Sequence, residues 1–194
     1  MDASQPTLRG RRALLEPLTE GHATALFEAG REDEIWSYMP FHPTTIEEME
    51  GLVAFALKAR DRGEEWPFVI VDQESGAVVG STRIFFLPPP FVGHEIGWTW
   101  HSPSVWRTRI NTECKYLLFS YCFEELGSPR VQLKTDVRNE RSQAAIARLG
   151  AVREGTLRKH MKLASGYIRD SVYFSVTDDE WPGVKERLEG FLAS

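Results

Sequence analysis

Only two of the 194 residues are cysteine, Cys114 and Cys122, and neither a Cys-x-x-Cys pair nor a histidine cluster accompanies them. That excludes a disulfide scaffold and leaves no metal-ligand spacing. A reduced, cytoplasmic setting is the expectation. Long apolar runs are missing too. Nothing approaches the ~18 uninterrupted apolar residues of a membrane span, and the opening MDASQPTLRGRR carries charge with no apolar stretch behind it. No membrane association is expected. Glycine and proline, 15 and 11 residues, are too few for collagen-like repeats or a disordered linker.

What is present is ordinary globular material, 42% hydrophobic and 26% charged. A chain of this size can bury ~70% of its unfolded surface around a core without metals or cross-links. A single domain over 1–194 is expected. The net charge of −5 is unevenly spread. From Arg107 to Arg169 there are 13 Lys/Arg against 6 Asp/Glu, and elsewhere 10 against 22. The basic segment suits an anionic ligand, and the acidic remainder suits a cationic partner such as a basic peptide or a polyamine. Surface composition alone is the other reading. Nucleic acid is not expected as a partner, because the chain is acidic overall and lacks interleaved aromatic and basic residues.

Periodicity gives the element order. Leu8 to Leu18 reads as a first strand, and Thr19 caps a helix to about Ala29. Ile35 to Pro43 is aromatic and irregular. Thr44 or Thr45, followed by two glutamates, opens a helix that ends near Gly63. Pro67–Val71 and Ala77–Phe86 form a hairpin around DQESG. Phe91–Trp100 is a third strand, with His94, Ile96, Trp98 and Trp100 on one face and Glu95, Gly97 and Thr99 on the other. A loop, HSPSVWRTR, leads into a helix from Asn111 to Gly127. VQLKTDV is a short strand, and a helix from Asn139 ends at Gly150. Strands Val152–Leu163 and Tyr167–Val176 flank ASG, and Asp178–Leu192 is a last helix. The fold class is mixed α/β.

The loop before Asn111 delivers free backbone N–H groups at a helix start, which is an anion site. Arg107 and Arg109 add two guanidinium forks to it. His94, His101 and His160 lack any nucleophile or partner spacing and read as structural. Cys114 and Cys122, set among Leu117, Leu118 and Phe123, read as buried helix residues rather than nucleophiles.

The blocks HEIGWTW, NTECKYLLFSYCFEELG, RNERSQAAIARLGAVREG and GYIRDSVYFSVTDDEW together resemble the GCN5-related N-acetyltransferases (GNAT), in particular the RimJ/RimL-like branch that acetylates N-terminal amines of ribosomal proteins. The resemblance covers nearly the whole chain. It implies a central, splayed, mixed and mostly antiparallel sheet flanked by helices, with acetyl-CoA in the opening and no metal. It implies a cradle for the cofactor from Trp106, Arg107, Thr108, Arg109, Ile110 and Asn111, together with Asn139 and Ser142. One departure stands out. The pyrophosphate loop of the family reads Arg or Gln, two residues, Gly, one residue, Gly or Ala, whereas here both glycine positions, 107 and 109, are arginine. Glycine permits close backbone approach, so the expectation shifts from backbone cradle toward guanidinium contact.

Asn139 matches the asparagine that opens the second CoA-side helix; it can serve the pantetheine arm, cap the helix, or both. The tyrosine that many members carry seven residues later is Ile146 here, which leaves Ser142 as the candidate acid. Glu95 matches the strand glutamate of the RimL-like branch. It is the candidate base, acting through a water, or else the anchor of a cationic acceptor. Trp36, Tyr38 and Met39 resemble the wall of the acceptor cleft, with packing beneath a loop as the alternative. Tyr173 is either a cleft hydroxyl or core. The implied reaction is direct attack of a primary amine on the thioester in a ternary complex. An α-amine, with a pKa of about 8, needs less help than a lysine at about 10.4, which favours a protein N-terminus as acceptor. A small amine or polyamine, or a non-catalytic acyl-CoA-binding module, are the alternatives. A homodimer through the aromatic tail strand and terminal helix is a further expectation.

Overall fold

The computed structural model describes residues 5–193; Met1–Ser4, where the charged opening stretch begins, and Ser194 lie outside them. One eight-stranded sheet organises these residues. Its strands are β1 (Leu8–Arg9), β2 (Ala13–Pro17), β3 (Glu65–Asp72), β4 (Ala77–Phe86), β5 (His94–His101), β6 (Arg130–Asp136), β7 (Val152–Lys162) and β8 (Ile168–Thr177). The helices are α1 (Ala23–Ala29), α2 (Ile46–Asp61), α3 (Ile110–Ser120), α4 (Glu140–Leu149) and α5 (Trp181–Ala193). Strand order is β1-β2-β3-β4-β5-β6-β8-β7.

The predicted first strand is two strands. Glu113 on α3 accepts the backbone N–H groups of Arg11, Arg12 and Ala13, which folds the chain back on itself after Arg9. Thr19 opens a 3-10 turn, Glu20–His22, that precedes α1. At α2 the cap is Thr45, whose hydroxyl accepts from Glu48 N at 3.3 Å, while the Glu48 carboxylate reaches back to Thr44. β5 starts at His94 rather than Phe91, because Gly93, at φ 90°, breaks the extension. α5 begins at Trp181, since a turn occupies the preceding residues.

Neighbouring strands are antiparallel, with one exception. β5 and β6 run parallel and pair over two positions only, His94 with Val131 and Glu95 with Gln132. Beyond Glu95 they diverge. A bulge in β5 accompanies the divergence: Ser81 pairs with Trp100 and Arg83 with Gly97, so Thr82 faces both Trp98 and Thr99. Trp98 takes φ 48°, in the left-handed region. A bulged strand bends and re-aims its side chains.

That extra residue also corrects the predicted alternation. Ile96 belongs to the core layer that packs on α3 and α5, whereas Trp100 belongs to the opposite layer, with Trp36 and the apolar faces of α1 and α2. A strict period of two would have kept them on one face. Elsewhere the alternation holds, as in β3, where Phe68 and Ile70 join the first layer and Val69 the second. The first layer is fully buried at Phe119, Leu118, Ile110 and Cys114. It fixes α3 against the sheet and aims that helix's N-terminus at the opening between β5 and β6.

Candidate active site

The divergence of β5 and β6 opens a cleft of about 790 Å³. Residues 96–101 of β5 form one wall and Leu133, Lys134 and Thr135 of β6 the other. The N-terminus of α3 and one face of α4 close one end, and Tyr38, Met39, Met161 and Arg169 border the other. A cleft of this size matches a pocket for a cofactor-sized ligand.

At the α3 end, Arg107 holds φ 61°. The loop thus keeps a left-handed conformation, which suits glycine and strains arginine. The first-turn amides of α3 have no carbonyl partner inside the helix and carry the positive end of its dipole. Trp106 is pinned by its Nε1, which donates to the His101 carbonyl at 2.9 Å, and the Arg141 guanidinium stacks 4.3 Å from its ring centre. Thr108 and Asn111 complete this end of the cleft. Across it, Asn139 caps α4, its Oδ1 accepting from Ser142 N at 3.0 Å, and both residues line the cleft.

Arg109 departs from the expected pair of forks. Its Nη1 donates to the carbonyl of Leu192 at 3.1 Å, so its side chain serves the end of α5, and it does not line the cleft. Ile110, the next residue, is fully buried in the core for the same reason: successive residues at a helix start point about 100° apart.

Beneath the β5 bulge lies a buried polar group that sequence reasoning missed. Lys115 Nζ donates to Thr99 Oγ1 at 2.7 Å, and Thr99 Oγ1 shares a hydrogen bond with Thr82 at 2.7 Å. Burial pulls the Lys115 ammonium down to about 8. Nearby, His101 Nε2 meets Asn111 Oδ1 at 3.1 Å. Burial, reinforced by the Lys115 charge, holds that imidazole near 4 and therefore neutral.

Glu95 is buried at the point where the strands part. Its Oε2 accepts from Gln132 Nε2 at 2.6 Å and its Oε1 lies 2.8 Å from Lys134 Nζ. Lys134 itself lines the cleft, whereas Glu95, expected to meet an acceptor there, does not, because Gln132 and Lys134 engage its carboxylate. The spacing of Gln132 and Lys134 was the available signal, since residues two apart on a strand share a face. Next to this pair, Tyr173 Oη lies 3.2 Å from His160 Nε2, and His160 Nδ1 lies 2.9 Å from Ser171 Oγ. Tyr173 is thus tied into a polar chain and does not line the cleft.

Of the aromatic loop, Tyr38 and Met39 line the cleft but Trp36 does not. Trp36 is 3% exposed, donates from Nε1 to the Gly30 carbonyl at 2.8 Å and packs 4.9 Å from Trp100. It is a core residue of the second layer. Cys114 and Cys122 are both buried, which pushes their thiols up to about 12. Among the described residues no group of three His, Cys, Asp or Glu side chains could hold a metal ion, and no helix is long and apolar enough to cross a membrane.

A splayed parallel pair, a bulge in one of its two strands and a helix N-terminus aimed into the gap agree with a family match: residues 12–152 fit the acetyltransferase (GNAT) domain. The chain belongs to the GNAT family. A GCN5-related N-acetyltransferase from Brucella melitensis has a similar structure, with a TM-score of 0.90 and 29% identity over 99% of this chain and 87% of that one. RimJ of Mycobacterium smegmatis, solved in complex with CoA-disulfide, shares the fold at a TM-score of 0.81 and 21% identity, over 95% of this chain and 92% of that one. YdaF of Bacillus subtilis (strain 168), provisionally named a ribosomal N-acetyltransferase, is 38% identical over 76 residues, 39% of this chain and 40% of YdaF. GNAT acetyltransferases use acetyl-CoA as co-substrate. In this GNAT chain the cleft residues suited to it are Arg107, Thr108, Asn111, Asn139 and Ser142, all on the helix-lined side.

Proposed function

We propose that this acetyltransferase moves the acetyl group of acetyl-CoA to a primary α-amine, in particular a protein N-terminal amine of the ribosomal-protein type. The observation that carries the reading is the two-ended cleft. One end offers helix amides and Arg107 to phosphates, and the other, bordered by Tyr38 and Met39, is open to an acceptor. The name given to YdaF supports the ribosomal reading of the acceptor.

The amine nitrogen attacks the thioester carbonyl. A carbon–nitrogen bond forms, the carbon–sulfur bond breaks, the nitrogen loses a proton, and the departing thiolate gains one. Glu95 is the proposed base. Its carboxylate has two donors, Gln132 and Lys134, and further lone pairs remain for a water that relays the proton. Ser142 is the proposed acid toward sulfur, on the α4 side of the cleft. A general acid or base contributes about 10²–10⁴-fold in rate.

The test has two parts. Acetyl-CoA at about 100 times its Kd should stabilise the protein by about 2.7 kcal/mol. With an α-amine peptide as acceptor, Glu95→Gln should lower kcat about 100-fold or more while KM for acetyl-CoA stays unchanged. Full turnover by that variant removes Glu95 as base, and saturating acetyl-CoA without any thermal shift removes the reading as a whole.

A further inference from the structure

The cleft is lined by six cations, Arg107, Lys115, Lys134, Arg141, Arg148 and Arg169, and by one acid, Glu34. Such a lining repels the polyamine that the acidic composition of the chain suggests. Arg107 and Arg141 stand at the phosphate-facing end, and Arg148 is bonded to Thr112 beside it. Lys115 is turned to Thr99, and Lys134 is paired with Glu95. Arg169, at the acceptor end, has no such assignment.

Arg169 is 6% exposed. Its Nε donates to Ser171 Oγ and its Nη1 to the Tyr38 carbonyl, each at 3.0 Å. No carboxylate lies within 4.0 Å of it among the described residues, and Nη2 has no partner there. The two acids that act on it from farther off are already engaged, Asp136 by Arg138 at 2.7 Å and Glu95 by Lys134. A guanidinium carries five donors in a planar fork. Burying it against two neutral acceptors leaves its charge uncompensated, at a considerable cost.

The fork is also held rigidly. Arg169 Nε donates to Ser171 Oγ, Ser171 Oγ lies 2.9 Å from His160 Nδ1, and His160 Nε2 lies 3.2 Å from Tyr173 Oη. Burial lowers the His160 pKa, which favours the neutral imidazole. A preorganised, partly unpartnered guanidinium facing a cleft is a receptor for a planar anion.

We propose that Arg169 binds a carboxylate carried by the acceptor close to its reacting amine. The inference rests on the acetyl-transfer reading for the identity of the cleft's two ends, and it narrows the acceptor. The carboxylate comes either from a free α-amino acid or from an Asp or Glu side chain among the first residues of a peptide.

Binding is measured first, independently of turnover, with the full chain and CoA present. The probes are acetylated products: N-acetyl-alanine against its amide, and N-acetyl-Ala-Asp against N-acetyl-Ala-Asn, both dipeptides amidated at the C-terminus. In one pair at least, the carboxylate member should bind about tenfold tighter or better, as a charge-assisted fork contact requires. Preference in the first pair identifies a free amino acid as the source, and preference in the second an acidic peptide. In Arg169→Met, and to a lesser degree in Arg169→Lys, which keeps the charge without the fork, the preference should fall toward one. Equal binding of acid and amide in both pairs by the unaltered protein overturns the proposal, whatever either variant does. Acetyl-CoA assays with the matching free amines then separate the two readings. Carboxylate preference in binding with no transfer to any amine leaves Arg169 as the receptor and overturns the acetyl-transfer reading instead.

Discussion

Oε2 of Glu113 accepts a hydrogen bond from the backbone N–H of Ala13 at 2.6 Å, across 100 positions of sequence. The same carboxylate takes the N–H groups of Arg11 at 2.6 Å and Arg12 at 2.9 Å. One buried side chain on α3 therefore satisfies three successive amides, two in the turn after β1 and one at the start of β2, and fixes the edge of the sheet to the helix that faces the cleft. Glu113→Gln keeps the shape, removes the charge and retains a single acceptor oxygen. It should cost about 3 kcal/mol in chemical denaturation, which corresponds to roughly 6–12 °C in Tm for a chain of this length. Gly10→Ala attacks the same contact from the other side, because its Cβ would lie 2.6 Å from the Glu113 carboxyl carbon. Its cost should shrink in a Glu113→Ala background, since the two sites share one contact.

Arg107, at φ 61°, offers a way to separate strain from ligand contact. Arg107→Gly and Arg107→Ala both remove the guanidinium, so both should weaken acetyl-CoA binding by a similar factor, about tenfold. Only glycine removes the left-handed strain. The Gly variant should therefore exceed the Ala variant by about 1 kcal/mol in stability. Parallel calorimetric titrations and denaturation curves on the two proteins check both halves. Equal stabilities would mean that the loop relaxes to another conformation once arginine is gone.

The residues divide clearly into those whose place was legible in the sequence and those whose place was not. Local signals were sufficient for the cap at Asn139 and the left-handed stop at Gly150, whose φ is 107°, and they narrowed the cap of α2 to Thr44 or Thr45, of which the structure uses Thr45. Each depends on a side chain and the backbone within three residues of it. The cleft residues Tyr38, Met39, Trp106, Arg107, Thr108, Asn111, Asn139 and Ser142 were legible through family resemblance. Trp36 was not separable from Tyr38, because both lie in one aromatic loop and only tertiary packing on Trp100 sorts them. Lys115, Lys134 and Arg169 were illegible for a related reason. Their partners Thr99, Glu95 and Tyr38 lie 16, 39 and 131 positions away, and no local pattern marks those meetings. The bulge at Trp98 hid the exchange of faces between Ile96 and Trp100, because a period of two assumes one residue opposite one.

Burial raises both thiols to about 12, so at pH 8 almost no thiolate is available in the native state. The thiolate is the reactive form. An aromatic disulfide reagent at pH 8 should therefore label neither Cys114 nor Cys122 in the folded protein and both after guanidinium unfolding. Any slow labelling under native conditions should require opening of the fold, so it should speed up as denaturant is added below the unfolding transition. Fast native labelling of Cys114 would place its helix face in contact with solvent, contrary to its complete burial.

Lys115 also makes stability depend on pH. Its folded value is about 8 against 10.5 for the free side chain, with desolvation as the largest cause. Below pH 8 the folded and unfolded chains both hold the proton, and the full cost of burying the ammonium is present. Between about 8 and 10.5 the unfolded side chain still holds its proton while the folded one gives it up, so this group's contribution to stability rises with pH through that window. The total gain from this group is about 3 kcal/mol, at 1.36 kcal/mol per unit. Lys115→Met keeps the stem and removes the charge, so it should be more stable than the parent at pH 7. The advantage should fade above pH 10, when the parent lysine is itself neutral. His101 produces a separate rise between about 4 and 6.5, by the same sign, because its folded value is also lowered. Denaturation midpoints from pH 4 to pH 10.5 on both proteins should therefore converge on the alkaline side, and the acid-side rise should be smaller in the Met variant, which lacks the Lys115 charge that helps hold His101 low. A parent protein whose stability falls steadily from pH 8 to 10 while the Met variant falls in parallel would mean that Lys115 Nζ is hydrated in solution rather than held dry against Thr99.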